Sequence, residues 1–494
     1  MSAGQVVIAI DAGTTGVRSR AVFTDDSPVV ASYREFTQHY PQPGWVEHDA
    51  VEIWEAVKAT LTEVIEEVGR DRVAAIGITN QRETVVAWNR SSGEPYGTAI
   101  VWQDRRTADV CDRLAADGHL DMVREKTGLV LDPYFSGTKF AWLLQNREIP
   151  VDDDLALGTI DAWLIWNLTG GEVFATDVTN ASRTMLCDIR TRTWDGELGE
   201  LLGVPITALP EIVPSSGRIG ITSEVCGVAA GIPVSGVAGD QQAALFGQAC
   251  VEPGMAKNTY GTGSFVLLNV GEECPPPTEG MLTTVAWTLA DGTTHYALEG
   301  AIFVTGAAIQ WLRDGLGIID AAPETGPLAE SVPDTGGVYV VPAFAGLGAP
   351  WWDPYARGTI VGLTRGTERA HITRAVVESM AYQVRDAVDA MVEASGTRLK
   401  ELRVDGGASV MDLLCQLQAD QIGVTVLRPV DQETTALGSA FLAGLAEGVW
   451  ESTDDILAQW TLDAEFTPAD DRTEADRLHA DWLRAVERSR AWES

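Results

Sequence analysis

The sequence predicts an α/β protein of two domains, on three observations. The chain has 494 residues, room for two large domains or three at roughly 150 residues each. Short apolar runs that end in Gly, Asp or Thr alternate with stretches of helical periodicity. A strand–Gly/Thr turn–strand unit occurs twice, first at Val6–Phe23 and again at Lys257–Leu268. Cys250-Val251-Glu252-Pro253-Gly254 reads as the boundary, giving domains 1–250 and 251–494.

Composition narrows the function classes. Apolar residues make up 45% and there are 16 Trp, ample for packed cores. No apolar run is long enough for a membrane span, and the first residues lack the basic and apolar segments of a signal peptide. Six scattered Cys without CxxC, and six His without HExxH, predict neither a disulfide framework nor a zinc site. A reducing cytoplasm suits them. The net charge is −36, from 71 acidic and 35 basic residues. Such a field repels nucleic acid and anionic membranes. The acid is spread along an aromatic-rich chain, not gathered in a tail, so it predicts a folded protein with an acidic surface. That surface resembles the adaptation of extreme halophiles.

Taken in order, the first turn is Asp11-Ala12-Gly13-Thr14-Thr15-Gly16-Val17-Arg18. Gly lets the backbone approach a ligand, successive N–H groups form an anion nest, and a strand-end carboxylate can hold a hydrated divalent cation. A plain hairpin turn is the alternative. Asp49 and Glu52 predict a capping box for a helix with Val51, Trp54, Val57, Leu61, Val64 and Val68 on one face. A buried strand, 73–78, ends in Asn80-Gln81-Arg82-Glu83. Ligands of α/β sheets gather at strand carboxyl ends, so Arg82 and Glu83 are site candidates. A surface ion pair is the alternative, disfavoured because neighbours on an extended chain point to opposite faces. Strands follow at 85–88 and 99–102. Trp102 reads first as core and second as a ligand wall, and Tyr134, after Pro133, reads equally as structural or as part of a site. Broken helices cover 107–148, and a Trp-rich helix covers 159–170.

Residues 214–232 read as irregular and Gly-rich. The strand 233–238 then runs into Gly239-Asp240-Gln241-Gln242 and an Ala-rich helix. Asp240 suits an N-cap or a catalytic base. The second Gly/Thr turn, Gly261-Thr262-Gly263, could clamp a phosphate chain opposite the first. A helix at 301–313 carries Gly306, by close approach or by helix packing. A strand at 338–343 leads into a rigid Gly/Pro/Trp loop. Thr367 caps a long helix at 368–394. Strand, Gly turn and helix start occupy 402–408, and helices at 433–447 and 474–490 close the chain.

With these stretches in hand the chain resembles the glycerol kinases of the FGGY carbohydrate kinase family. The match runs from Asp11 to about Trp450, through DAGTTGVR, NQRE, VWQDRRT, DPYFSGTK, GDQQAALFGQ, TYGTGSF, ALEGAIF, IQWLRD, PAFAGLGAPWWDPYARG and DGGA in that order. The resemblance implies two actin-like, ribonuclease-H-like domains with a nucleotide cleft between them, and ATP-dependent phosphorylation of glycerol to sn-glycerol 3-phosphate. It implies Thr14, Thr15, Gly16 and Arg18 at the ATP phosphates, Asp11 near Mg2+, and Thr262 as the phosphate holder of the second domain. Gly306, Gln310 and Gly407 would line ribose and adenine. Met411 stands where relatives carry an Asn, which puts that adenine contact in doubt. Arg82, Glu83, Tyr134, Asp240 and Gln241 would bind the glycerol hydroxyls, with Trp102 and Phe265 over its carbon face and Asp240 as general base. A homodimer or homotetramer is implied. The short stretch 224–232 lacks both the loop through which some relatives bind a sugar bisphosphate and the His that others use as a phosphorylation switch, so neither control is expected. The rivals are a kinase for another polyol or ketose, an actin-like ATPase, and a non-catalytic acidic binding protein.

Overall fold

The computed structural model describes residues 5–25 and 27–493 and contains two large sheets. The first is built from β1 (Val6–Ala12), β2 (Gly16–Phe23), β3 (Val30–Glu35), β4 (Val73–Asn80), β5 (Ser216–Ile221) and β6 (Pro233–Gly239). Its order is β5-β6-β4-β1-β2-β3. Parallel pairs join β1, β4 and β6, and antiparallel pairs form both edges. The second comprises β7 (Met255–Tyr260), β8 (Ser264–Gly271), β9 (Leu282–Thr288), β10 (Thr294–Ile302), β11 (Glu401–Asp405), β12 (Val426–Pro429) and β13 (Leu462–Phe466). Its order is β9-β10-β8-β7-β11-β12-β13. Leaving out the edge strand β9, its sequence of parallel and antiparallel pairs repeats that of the first sheet. The recurring turn unit is therefore the opening hairpin of each sheet.

The central strands are apolar without alternation because both faces are covered. Val6 to Ile10 are all 0% exposed. One face of the first sheet takes α1 (Ala50–Val68), which buries Ile53, Trp54, Val57, Leu61, Val64 and Val68. The other face joins Val7, Ala9, Ala75 and Ala238 to Leu267, Trp287 and Ala297 of the second half. Two further helices matter for the site, α2 (Asp240–Gly247) and α3 (Arg369–Ser395). A last one, α4 (Thr434–Ala446), crosses back from the second half and docks on β4, β6 and α2. A smaller four-stranded sheet, containing 85–89, 99–100 and 155–159, carries the Trp102 loop, and Tyr134 sits in the loop that enters the helix Ser136–Asn146. No helix among the described residues is long and apolar enough to cross a membrane.

Several expectations are corrected. Val51 is 43% exposed, since the buried stripe of α1 runs through Ile53 instead. Asp49 does accept from the Val51 and Glu52 amides at 2.8 and 3.3 Å, but the Glu52 carboxylate turns to the Thr37 amide and hydroxyl. Residues 216–221 are strand β5, not irregular chain. Residues 301–302 belong to β10, and the helix begins at Gly306 and widens into a π-turn at Trp311–Gly315. Glu368, not Thr367, caps α3, in a reciprocal pair with His371.

Candidate functional site

The first turn is held from behind by a polar chain. The Gly13 amide donates to the Gly16 carbonyl at 3.0 Å. Gln81 Nε2 donates to the Gly13 carbonyl and Gln38 Nε2 to that of Thr14, both at 2.9 Å. Between the two glutamines sits His48, with ring nitrogens 2.7 Å from Gln38 Oε1 and 3.3 Å from Gln81 Nε2. Burial, with a smaller contribution from His39, lowers the His48 pKa to about 4, so the ring is neutral at pH 7. Gly16 is required by space: a Cβ there would lie 2.6 Å from the Arg34 carbonyl oxygen. Thr15 is exposed and Thr14 half-buried, its hydroxyl accepting from Trp102 Nε1 at 2.9 Å. Trp102 in turn meets the Tyr134 ring edge-on at 5.6 Å. The turn and the wall residues are thus in contact.

Arg18 pairs across the hairpin with Asp11, and its guanidinium forms an ion pair with Glu433, just before α4. Asp11 lies at the end of β1. Burial first, then the nearby charge of Asp240, raises its pKa to about 7, against a lowering pull from Arg18. A buried carboxylate whose protonation a second carboxylate favours is a place where a cation would be welcome.

Arg82 is 2% exposed and gathers the acceptor candidates. Its Nε lies 3.0 Å from Asp240 Oδ1, its Nη2 donates to Tyr134 Oη at 3.2 Å, and its Nη1 donates to Gln242 Oε1 at 3.2 Å. Glu83 is not on an extended strand. Its φ of 60° is left-handed, which folds the chain so that Arg82 Nε and Glu83 Oε1 approach to 3.8 Å. The opposite-faces argument therefore fails at this bond, and both side chains are buried. A left-handed non-Gly residue costs roughly 1–3 kcal/mol and persists only where its surroundings fix it.

Asp240 is the first residue of α2, and Gly239 is the N-cap. Its carboxylate accepts from the Gln241 amide at 2.7 Å. Its side chain keeps 31% of its surface, whereas Arg82 and Glu83 keep 2% each, so within this group Asp240 faces the opening. Burial in the surrounding protein raises the Asp240 pKa, and Arg82 partly offsets that. Gln241 Oε1 accepts from the buried Lys257 ammonium, which also donates to Thr259 Oγ1 at 2.9 Å. Tyr134 is steadied by Lys139, whose ammonium donates to the carbonyls of residues 133, 134 and 135 at 2.6–3.0 Å. Phe265 is half-buried on β8, and its ring pairs with neither Trp102 nor Tyr134 among the described contacts.

The remaining candidates share one end of the second sheet. Thr262 is exposed, and its carbonyl accepts from the Thr305 and Ala307 amides at 3.0 Å. Gly306 touches Gly261: a Cβ would meet that carbonyl oxygen at 2.5 Å, so the close approach is between the two loops. Gln310 is exposed at the end of the same short helix. β11 runs parallel to β7 with Asp405 opposite Thr259, which sets exposed Gly407 beside the Gly261–Gly263 turn. Met411 is half-buried, its side chain 3.6 Å from where a Gly326 Cβ would stand.

Sequence reasoning passed over three buried charges here: Arg183, Lys257 and Glu299. Glu299 is a lone carboxylate inside the apolar run Tyr296–Phe303, a signal that was available. Arg183 lies in a stretch with no periodicity to mark it.

Comparisons fit this arrangement. The N-terminal domain of the FGGY family of carbohydrate kinases matches residues 6–247, and its C-terminal domain matches residues 256–447. The chain is 54% identical to a protein named glycerol kinase 2 from Thermotoga maritima, over 99% of both chains. It is 56% identical to a glycerol kinase from Symbiobacterium thermophilum, over 98% of both. The solved structure of Plasmodium falciparum glycerol kinase with ADP superposes with a TM-score of 0.93 at 36% identity, covering 99% of this chain and 98% of that one. A gluconate kinase from Lactobacillus acidophilus, at 22% identity and a TM-score of 0.88 over 98% of this chain and 97% of that one, shares the fold.

Proposed function

The chain belongs to the FGGY family of carbohydrate kinases, and on that footing we propose that it transfers the γ-phosphoryl group of ATP to glycerol, giving sn-glycerol 3-phosphate. The observation that carries this reading is end-to-end identity of 54–56% with glycerol kinases. The polar cluster on Arg82 supports it. A small triol needs several hydrogen-bond partners and a short apolar wall, and a site that bonds each hydroxyl strongly rejects analogues that lack one. Arg82, Glu83, Tyr134, Asp240 and Gln241 supply the partners, and Trp102 and Phe265 the wall.

In this reading the domains are 1–250 and 251–494, with α4 returning to brace the first. ATP lies in the cleft, its phosphates between the turn at Thr14, Thr15, Gly16 and Arg18 and the turn at Thr262. Gly306, Gln310, Gly407 and Met411 flank its ribose and base. Arg18 would exchange Glu433 for phosphate. The residues present suit Mg2+: Asp11 at a strand end is a hard oxygen donor whose pKa is raised by burial first and then by the charge of Asp240, both of which a cation would offset. Asp11 would hold Mg2+, and the ion when bound would supply charge neutralisation for the transferred phosphoryl group. Asp240 accepts the proton of the attacking terminal hydroxyl, while Arg82 Nε at 3.0 Å fixes the carboxylate's direction. Phosphoryl transfer depends chiefly on such positioning, and closing the cleft keeps water from taking glycerol's place. A cytoplasmic homodimer or homotetramer without the two controls named above completes the reading. The test is product identity: phosphorus NMR of a glycerol–ATP–Mg2+ reaction shows glycerol 3-phosphate and ADP in equal amounts. Inorganic phosphate in place of the ester overturns the proposal.

A further inference from the structure

One carboxylate from the second half of the chain is buried between two guanidiniums from the first. Glu299, on β10, is 0% exposed. Its Oε2 accepts from Arg82 Nη1 at 2.6 Å. Its Oε1 accepts from Arg82 Nη2 at 3.3 Å and from Arg183 Nη2 at 3.0 Å. Arg183, also 0% exposed, donates from Nε to Glu83 Oε1 at 2.6 Å. Its guanidinium lies over the rings of Phe135 and Tyr134, 5.1 and 5.5 Å from their centroids, and its Nη1 has no hydrogen-bond partner in the protein. The charges therefore alternate along a chain: Asp240, Arg82, Glu299, Arg183, Glu83. The 3.8 Å approach of Arg82 to Glu83 draws Glu83 back toward Arg82.

Buried charges are tolerated when each is paired and hydrogen-bonded, and removing one member strands the others. Each carboxylate assigned to the acceptor is held by an arginine, and each of those arginines is anchored by Glu299. Glu299 has no surface of its own in the cleft. We propose that Glu299 and Arg183 are positioning residues for the acceptor: they aim Arg82, Glu83 and Asp240, and they make the acceptor site complete only when the second half is seated on the first. The inference rests on the acceptor reading above. It explains how a site whose hydroxyl-binding side chains come mainly from the first half can respond to the half that carries the second phosphate turn. It also accounts for the left-handed Glu83, whose strain is fixed by the Arg183 bond.

The experiment is steady-state kinetics of the full chain with glycerol and ATP varied separately. Glu299→Gln keeps the shape and removes the charge. Loss of one partner of a buried charge pair commonly weakens binding by a factor of about ten or more, so the KM for glycerol rises at least about tenfold while that for ATP moves less than about threefold. Glu299→Asp recovers part of the glycerol KM. Should the Gln variant fail to fold, the pair Arg183→Met with Glu299→Gln, which deletes one charge of each sign, is measured in its place and shows the same split. A folded variant whose glycerol KM stays within about threefold of the parent, or whose glycerol and ATP constants rise together, overturns the inference. A parent protein that does not phosphorylate glycerol overturns instead the acceptor reading on which it rests.

Discussion

Asp240 has neighbours that pull in opposite directions. Burial raises its pKa, which suits a group that must take a proton, and Arg82 lowers it, which keeps the carboxylate available. A positioned general base contributes roughly 10²–10⁴-fold, so Asp240→Asn lowers turnover by about that factor while nucleotide binding, read by calorimetry, stays as in the parent. Glu299 gives a second residue-scale prediction. Burial opposes its ionisation, but Arg183 and Arg82 outweigh that and hold its carboxyl at about 2, below its ordinary 4.5. Between those values the unfolded chain binds more protons than the folded one, so this contribution is present above pH 4.5 and is lost as pH falls toward 2. The stability advantage of the parent over Glu299→Gln in urea unfolding therefore shrinks from about pH 5 to about pH 3; an advantage that grows would contradict the assignment. Arg82, Glu83, Tyr134 and Asp240 were legible as candidates because strand ends and a Pro-stiffened loop mark them. Arg183 was not, since its carboxylate partners, Glu83 and Glu299, stand 100 and 116 positions away.

At the scale of elements, α4 shows what periodicity gives and what it leaves out. Its helical run was readable, but its place on the first sheet was not. The docking is so close that a Cβ on Gly438 would lie 1.8 Å from the Ala243 carbonyl oxygen, and one on Gly77 would lie 2.1 Å from that of Ser439. Backbone meets backbone here, so neither neighbour can swing aside. Overpacking of this kind typically costs about 1–3 kcal/mol and sometimes more. Gly438→Ala is therefore expected to lower the unfolding temperature by several degrees, whereas Gly93→Ala, on an exposed turn with nothing within 4 Å, costs less through its positive φ alone. Equal losses in the two variants would remove close docking as the reason. The misread helix at 301–313 has a similar cause. Glu299 apart, Ala297 to Ile302 is apolar on both faces because β10 is covered on both sides, and such a run does not distinguish strand from buried helix.

For the whole molecule, the two sheets repeat one pattern of pairing, so the paired Gly/Thr turns foreshadowed the architecture better than composition did. Composition speaks instead to conditions. A net charge of −36 repels itself, and salt screens that repulsion. The unfolding temperature accordingly rises between low and molar KCl, and an unchanged or falling temperature would separate this acidic surface from salt adaptation. The central claim concerns the acceptor, and ADP release with ATP and Mg2+ over glycerol, dihydroxyacetone, erythritol and xylulose tests it most directly. The account predicts turnover that depends on added polyol and is highest in kcat/KM for glycerol. ADP release that ignores the polyol, or a preference for xylulose, would contradict it.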